Sequence, residues 1–152
     1  MIYGLFFGLA LTAPAPFQIA DDAVIRSLHA EGAQIYECKT GDTGALTWVF
    51  REPVATLIDG GQTVGYHAAG PRWVLDNGDM VTAKVIARRD GRTPADIPEL
   101  ELKVVERRGV EPFSASASVL RINTAGGVLQ GACDAPGMLR AVPYSATYLF
   151  LR

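Results

Sequence analysis

Turn-forming residues recur along this chain at the spacing of β-strands, and that spacing limits the fold more than any other feature of the sequence. Thr40-Gly41-Asp42-Thr43-Gly44, Asp59-Gly60-Gly61-Gln62, Gly70-Pro71, Asp76-Asn77-Gly78-Asp79 and Thr124-Ala125-Gly126-Gly127 are clusters of residues that tolerate positive φ or break a ladder. The intervals between them read mostly as strands. From Leu100 to Val104 the order Leu, Glu, Leu, Lys, Val is the two-residue alternation of a strand with one wet face. Ala33 to Cys38, Leu46 to Arg51 and Val81 to Ile86 are rich in β-branched and aromatic residues. The expected fold is a single antiparallel all-β domain, either a β-barrel or a two-sheet β-sandwich, of about eight to ten strands.

The segment Val64 to Val81 concentrates the unusual side chains and reads as strand, corner, strand, hairpin, strand, with Gly70-Pro71 at the corner. His67 and Trp73 fall on either side of that corner. Four other local expectations follow. Ala23 to Gly32, opened by Asp21-Asp22, reads as a short helix or an edge strand. Pro53 breaks the second strand, so the chain bends or changes sheets there. Arg88 to Asp96 is a solvated polar loop. Phe113 to Asn123 is one long strand whose apolar face, Phe113, Ala115, Ala117 and Val119, continues to Arg121. A lone guanidinium on an apolar face is very unfavourable. Arg121 is therefore expected to pair with a carboxylate such as Glu37, to sit at a barrel rim, or to face a ligand. The segment Tyr144 to Leu151 is a strong terminal strand that should pair in mid-sheet.

With 152 residues and 49% hydrophobic content the chain can bury a core, and its net charge of -2 gives no electrostatic reason to bind nucleic acid or an anionic membrane. The uncharged apolar run Met1 to Ala13, followed by Pro14-Ala15-Pro16, has the shape of a secretory leader and is shorter than the roughly 20 residues that span a bilayer. Residues 1–20 are accordingly read as a signal peptide and 21–152 as the domain of a secreted or periplasmic protein. Cys38 and Cys133 are the only cysteines; in an exported domain they read as one disulfide, against two buried free thiols as the alternative. So few sulfur and imidazole ligands imply no metal and no cofactor. Glycine-rich 124–127 lacks the Lys-Ser or Lys-Thr of a phosphate loop.

Many separate blocks then occur in an order that resembles the domain-of-unknown-function 3455 family: Gly32 to Cys38, Trp48-Val49-Phe50, Gly65 to His67, Gly70-Pro71-Arg72-Trp73, Ile97-Pro98, Arg121-Ile122-Asn123-Thr124, Cys133-Asp134 and Pro143 to Phe150. The resemblance runs from about Gly32 to the C-terminus. It implies an exported protein of the kind found in bacteria and fungi, and no particular activity. Three positions depart from the family's pattern: Val74 stands where a glutamate is expected, Glu99 where a tryptophan is, and Leu120 where a glutamine is. Each is expected to remove a polar or aromatic group from the neighbourhood of the site, and an enzymatic role for that glutamate falls away.

The residues assemble into one expected site. His67, Trp73 and Arg121 should converge on a concavity for a small polar or anionic ligand or a glycan, with Lys84 on the neighbouring strand as a further cation. Arg121 would be the anion partner, Trp73 the apolar wall and His67 the orienting group. The competing readings are an enzyme using His67 as acid or base with Arg121 or Lys84 stabilising an anion, and a purely structural surface protein.

Overall fold

The computed structural model describes residues 17–20 and 23–152. The signal-peptide reading of 1–20 lies almost wholly outside the described residues. Eight antiparallel strands follow in chain order, β1 (Val24–Thr40), β2 (Leu46–Asp59), β3 (Gln62–Ala68), β4 (Arg72–Leu75), β5 (Met80–Arg89), β6 (Glu99–Arg108), β7 (Ser118–Gly126) and β8 (Leu139–Leu151). Each pairs with its neighbour in sequence, and β8 returns to β1, which closes the ring into a barrel. Closure gives every strand two neighbours over part of its length and puts alternate residues inside.

The tight connections form where the sequence placed them. Asp76 to Asp79 is a hairpin in which Gly78 takes φ +89°, a value that favours glycine, while the Asn77 side chain accepts from the Asp79 N–H at 3.0 Å. The terminal strand β8 pairs on both sides, with β1 and β7.

Four expectations are corrected. Of the two readings of residues 24–32 the strand holds and the helix does not, but the strand is no edge: with Leu28 and Ala30 inward it belongs to β1, which pairs with both β2 and β8. At Pro53 the chain neither bends away nor changes sheets. Ile35 pairs with Glu52 and Tyr36 with Phe50, so Arg51 is the extra residue of a β-bulge, and the bulge accommodates the proline. Arg88 and Arg89 are the last residues of β5 and not part of the loop. Phe113–Ala115 is a 3-10 turn, so the strand expected from Phe113 begins only at Ser118. The Ser-Ala run has little β-propensity, and the Ser116 hydroxyl donates to the Phe113 carbonyl at 2.7 Å, holding the turn while Phe113 is buried.

The upper part of β2 has no strand on its outer side, and the β7–β8 connection covers it. Trp48 N–H donates to the Gly131 carbonyl at 3.1 Å and Cys133 N–H to the Leu46 carbonyl at 3.2 Å. The disulfide Cys38–Cys133, with 5.8 Å between Cα atoms, pins that connection to β1. The free-thiol alternative is excluded. A bridge between residues 95 apart stabilises by about 4–5 kcal/mol in the loop-entropy account.

The core is divided along the barrel axis. Leu28, Leu57, Val81, Val119 and Phe150 fill one end completely, with Phe113 plugging it 4.7 Å from the Phe150 ring. The other end is hollow.

Candidate functional site

Strand register decides which side chains meet. Across the corner between β3 and β4, His67 pairs directly with Trp73, and across β7 and β8, Arg121 pairs with Tyr148. All four face inward. The His67 and Trp73 rings stack at 4.7 Å with 15° between planes, and Tyr148 approaches His67 at 4.9 Å and Trp73 at 5.2 Å. This aromatic layer spans the barrel and separates the filled end from the hollow one.

Above it lies an open cavity of about 440 Å³, within the range of small-molecule sites. His67, Trp73, Tyr148 and Arg121 contribute to its lining, together with Gln34 and Tyr36 of β1. Leu100, Leu102, Ile97, Pro53 and Val85 supply apolar wall, and Phe50, Arg51 and Arg88 also border the space. Among the described residues three arginines line it and no aspartate or glutamate does.

The sequence expectations can be placed one by one. His67, Trp73 and Arg121 share this cavity. Lys84 does not: alternation with inward Ala83 turns it to the outer face, where it is exposed. Nor do Val74, Glu99 and Leu120 line the cavity, which corrects the expectation that their departures from the family pattern strip the site. Val74 lies between inward Trp73 and Leu75, Leu120 between inward Val119 and Arg121, and Glu99 is engaged with Arg89.

Arg121 does not pair with Glu37 or with any other described carboxylate. Its Nε and Nη2 donate to the Pro98 carbonyl at 3.0 and 2.8 Å. Glu37 lies 3.6 Å from Lys39. Proline 98 belongs to the β5–β6 connection, which is fastened beside the cavity by a hydrogen bond from Gly126 N–H to the Asp96 carboxylate at 2.7 Å and by Thr93, whose N–H and hydroxyl both donate to Asp96. These donors hold the Asp96 carboxyl below its ordinary pKa, the Gly126 N–H most of all.

His67 is 3% exposed and its Nδ1 lies 2.9 Å from the Arg72 carbonyl, which makes Nδ1 the protonated nitrogen of a neutral ring. Burial lowers its pKa from 6.5 to about 4, the hydrogen bond to Arg72 opposes this, and the charge of Arg121 adds to it. Tyr148 is fully buried and its pKa is raised by desolvation, although the Arg121 charge acts the other way. Its hydroxyl lies 3.3 Å from that of Tyr144. At neutral pH the deep end of the cavity therefore holds the neutral imidazole of His67 and the neutral phenol of Tyr148 beside the Arg121 guanidinium.

Two further polar groups were missed from the sequence. Gln34 Nε2 and Trp73 Nε1 are buried donors with no hydrogen-bond partner among the described residues, and both residues line the cavity. A third such atom, Thr124 Oγ1, belongs to a residue outside the lining. Gln34 carried a readable signal. It shares the inward face of β1 with Tyr36 and Cys38, so it poses the same problem of a polar group on an apolar face that drew attention to Arg121.

Among the described residues no group of three or more His, Cys, Asp or Glu side chains is arranged to hold a metal ion. A family model described as "Protein of unknown function (DUF3455)" matches residues 19–152. Nothing among curated proteins or solved structures matches the chain.

Proposed function

The chain belongs to the DUF3455 family, and from that premise we propose that it is a non-catalytic binding protein that holds a small polar or anionic molecule inside its barrel. The observation that carries this reading is the cavity itself. An eight-stranded barrel has just enough interior for side chains to fill or for one small ligand, and here one end is filled and the other is left hollow. Arg121 stands in the hollow end with no carboxylate partner among the described residues, Trp73 forms part of the apolar floor, and His67 is fixed by Arg72. The purely structural reading leaves this space without a purpose. The acid–base reading of His67 is disfavoured by the same burial: an imidazole with a pKa of about 4 is almost never protonated at pH 7, so it is a poor general acid.

The location that accompanies this function is outside the cytoplasm. It is supported by the Cys38–Cys133 bridge, since structural disulfides persist in oxidising compartments.

The probe that tests the reading is 8-anilinonaphthalene-1-sulfonate, a small aromatic anion. Fluorescence titration should show one saturable site per chain, weakened about tenfold or more in Arg121→Ala, in line with the loss of a charge-assisted contact. Non-saturating binding, or equal affinity in wild type and variant, would defeat it.

A further inference from the structure

The balance of donors and acceptors around the cavity identifies the chemical class of the ligand, and this inference rests on the binding function proposed above. The donors include a guanidinium on Arg121, the amide Nε2 of Gln34 and the indole Nε1–H of Trp73, and the last two are buried with no partner. Gln34 and Trp73 are 3% and 0% exposed. A buried N–H without an acceptor is unfavourable, so two of them on residues that line one cavity point to an acceptor that is missing there. Among the described residues no carboxylate side chain enters the lining to supply it; Arg51 is paired with Glu52 at 3.4 Å, and Arg88 adds a further guanidinium.

The side-chain acceptors of the lining are uncharged: Gln34 Oε1, the Tyr36 and Tyr148 hydroxyls and one nitrogen of His67. Tyr36 donates its hydroxyl to the Gly127 carbonyl at 2.7 Å, so it offers only lone pairs, as does the unprotonated nitrogen of His67. A glycan brings one O–H donor with nearly every oxygen and would bury several without partners. The remaining walls are apolar. What suits this arrangement is a molecule whose polar end only accepts, carries negative charge, and continues into a hydrocarbon body that covers Pro53, Ile97, Leu100 and Leu102.

We infer that the ligand is an amphiphilic organic carboxylate, seated with its carboxylate on Gln34, Trp73 and Arg121 and its apolar body along the β2 and β6 walls. A saccharide is not the ligand.

Isothermal titration of the disulfide-bonded protein with octanoate, 1-octanol and maltose tests this. Octanoate should bind at one site, 1-octanol about tenfold more weakly for want of the charged acceptor, and maltose not at all. Gln34→Met provides the second arm, because it removes an orphan donor while keeping the side chain's length. It should weaken octanoate about tenfold while leaving the melting temperature unchanged or higher, since replacing an unsatisfied buried amide by an apolar group does not destabilise. A purely structural Gln34 would lower the melting temperature instead. If 1-octanol or maltose binds as well as octanoate, or if Gln34→Met leaves octanoate affinity intact, the carboxylate assignment fails and the small-molecule reading survives. If none of the three binds, both fail.

Discussion

The two ends of the barrel are built from the same strands and meet opposite fates. At the closed end, Leu28 of β1, Leu57 of β2, Val81 of β5, Val119 of β7 and Phe150 of β8 interlock, and Phe113 enters from a 3-10 turn to seal them. A few residues further along the same inward faces stand Gln34, Pro53, Val85, Arg121 and Tyr148, with space between them. Packing alone explains the first set. Among the described residues the second set combines a guanidinium without a carboxylate, two buried N–H donors without acceptors and a cavity of about 440 Å³, features that destabilise unless something enters. Packed core and cavity are thus segregated along the barrel axis, with the His67, Trp73 and Tyr148 layer as the partition, and the function proposed above assigns binding to the hollow end.

This contrast can be broken from either side. The largest effect belongs to the closed end. Phe150→Ala should lower unfolding stability by about 3–5 kcal/mol, because a fully buried ring packed on Trp73 and Phe113 leaves a cavity that its neighbours cannot close. A loss well under this range in chemical denaturation would mean that the closed end is not tightly filled.

Reduction of Cys38–Cys133 comes next, with an expected loss of about 2–5 kcal/mol. The bridge fixes the 127–138 connection over the upper edge of β2, and so it maintains the hollow end where packing does not. An unchanged melting curve in reductant would show that the hollow end holds its shape without it.

Acid sharpens the comparison at the partition. The folded pKa of His67 is about 4, below its ordinary 6.5, so the unfolded chain takes up a proton more readily. Stability due to this group is fully present above pH 6.5 and is lost as pH falls toward 4, by an amount on the order of 3 kcal/mol for a shift of this size. Below about pH 4 this contribution levels off. His67→Gln should flatten the stability profile between pH 6.5 and 4 relative to wild type, and an unaltered slope would place the His67 pKa near its ordinary value.

The smallest stability effect belongs to the hollow end. Arg121→Ala should lower stability by only about 1.5 kcal/mol, the worth of its hydrogen bonds to the Pro98 carbonyl. A loss as large as that of Phe150→Ala would erase the distinction between the two ends.

Much of this contrast was legible in the sequence, and what was not has physical reasons. Turn chemistry at 59–62 and 76–79 and the alternation of Leu100 to Val104 located strands and hairpins directly, because those signals are local. The corner at Gly70-Pro71 placed His67 near Trp73 for the same reason. Arg121 was found because an ionised group on an apolar face has few outcomes, although its partner proved to be a backbone carbonyl, which leaves no trace in sequence. Pro53 misled because a bulge at Arg51 absorbs it, and bulges depend on the register of the partner strand. Barrel and sandwich were indistinguishable because only the pairing of β8 with β1, more than a hundred residues apart in sequence, separates them. Tyr148 joined the site through that same long-range pairing.

The segregation of binding from packing is tested most directly at the Trp73 indole. The chain has two tryptophans, Trp48 and Trp73, so a nitrogen-15 labelled Trp48→Phe protein gives a single indole N–H resonance, that of the buried Trp73 donor with no partner among the described residues. Titration with octanoate should move this resonance downfield along a saturating curve, as the N–H acquires an acceptor, and 1-octanol should move it less. A resonance that stays in place while octanoate binds elsewhere, or that already sits at a hydrogen-bonded position without ligand, would contradict a hollow end built to receive one.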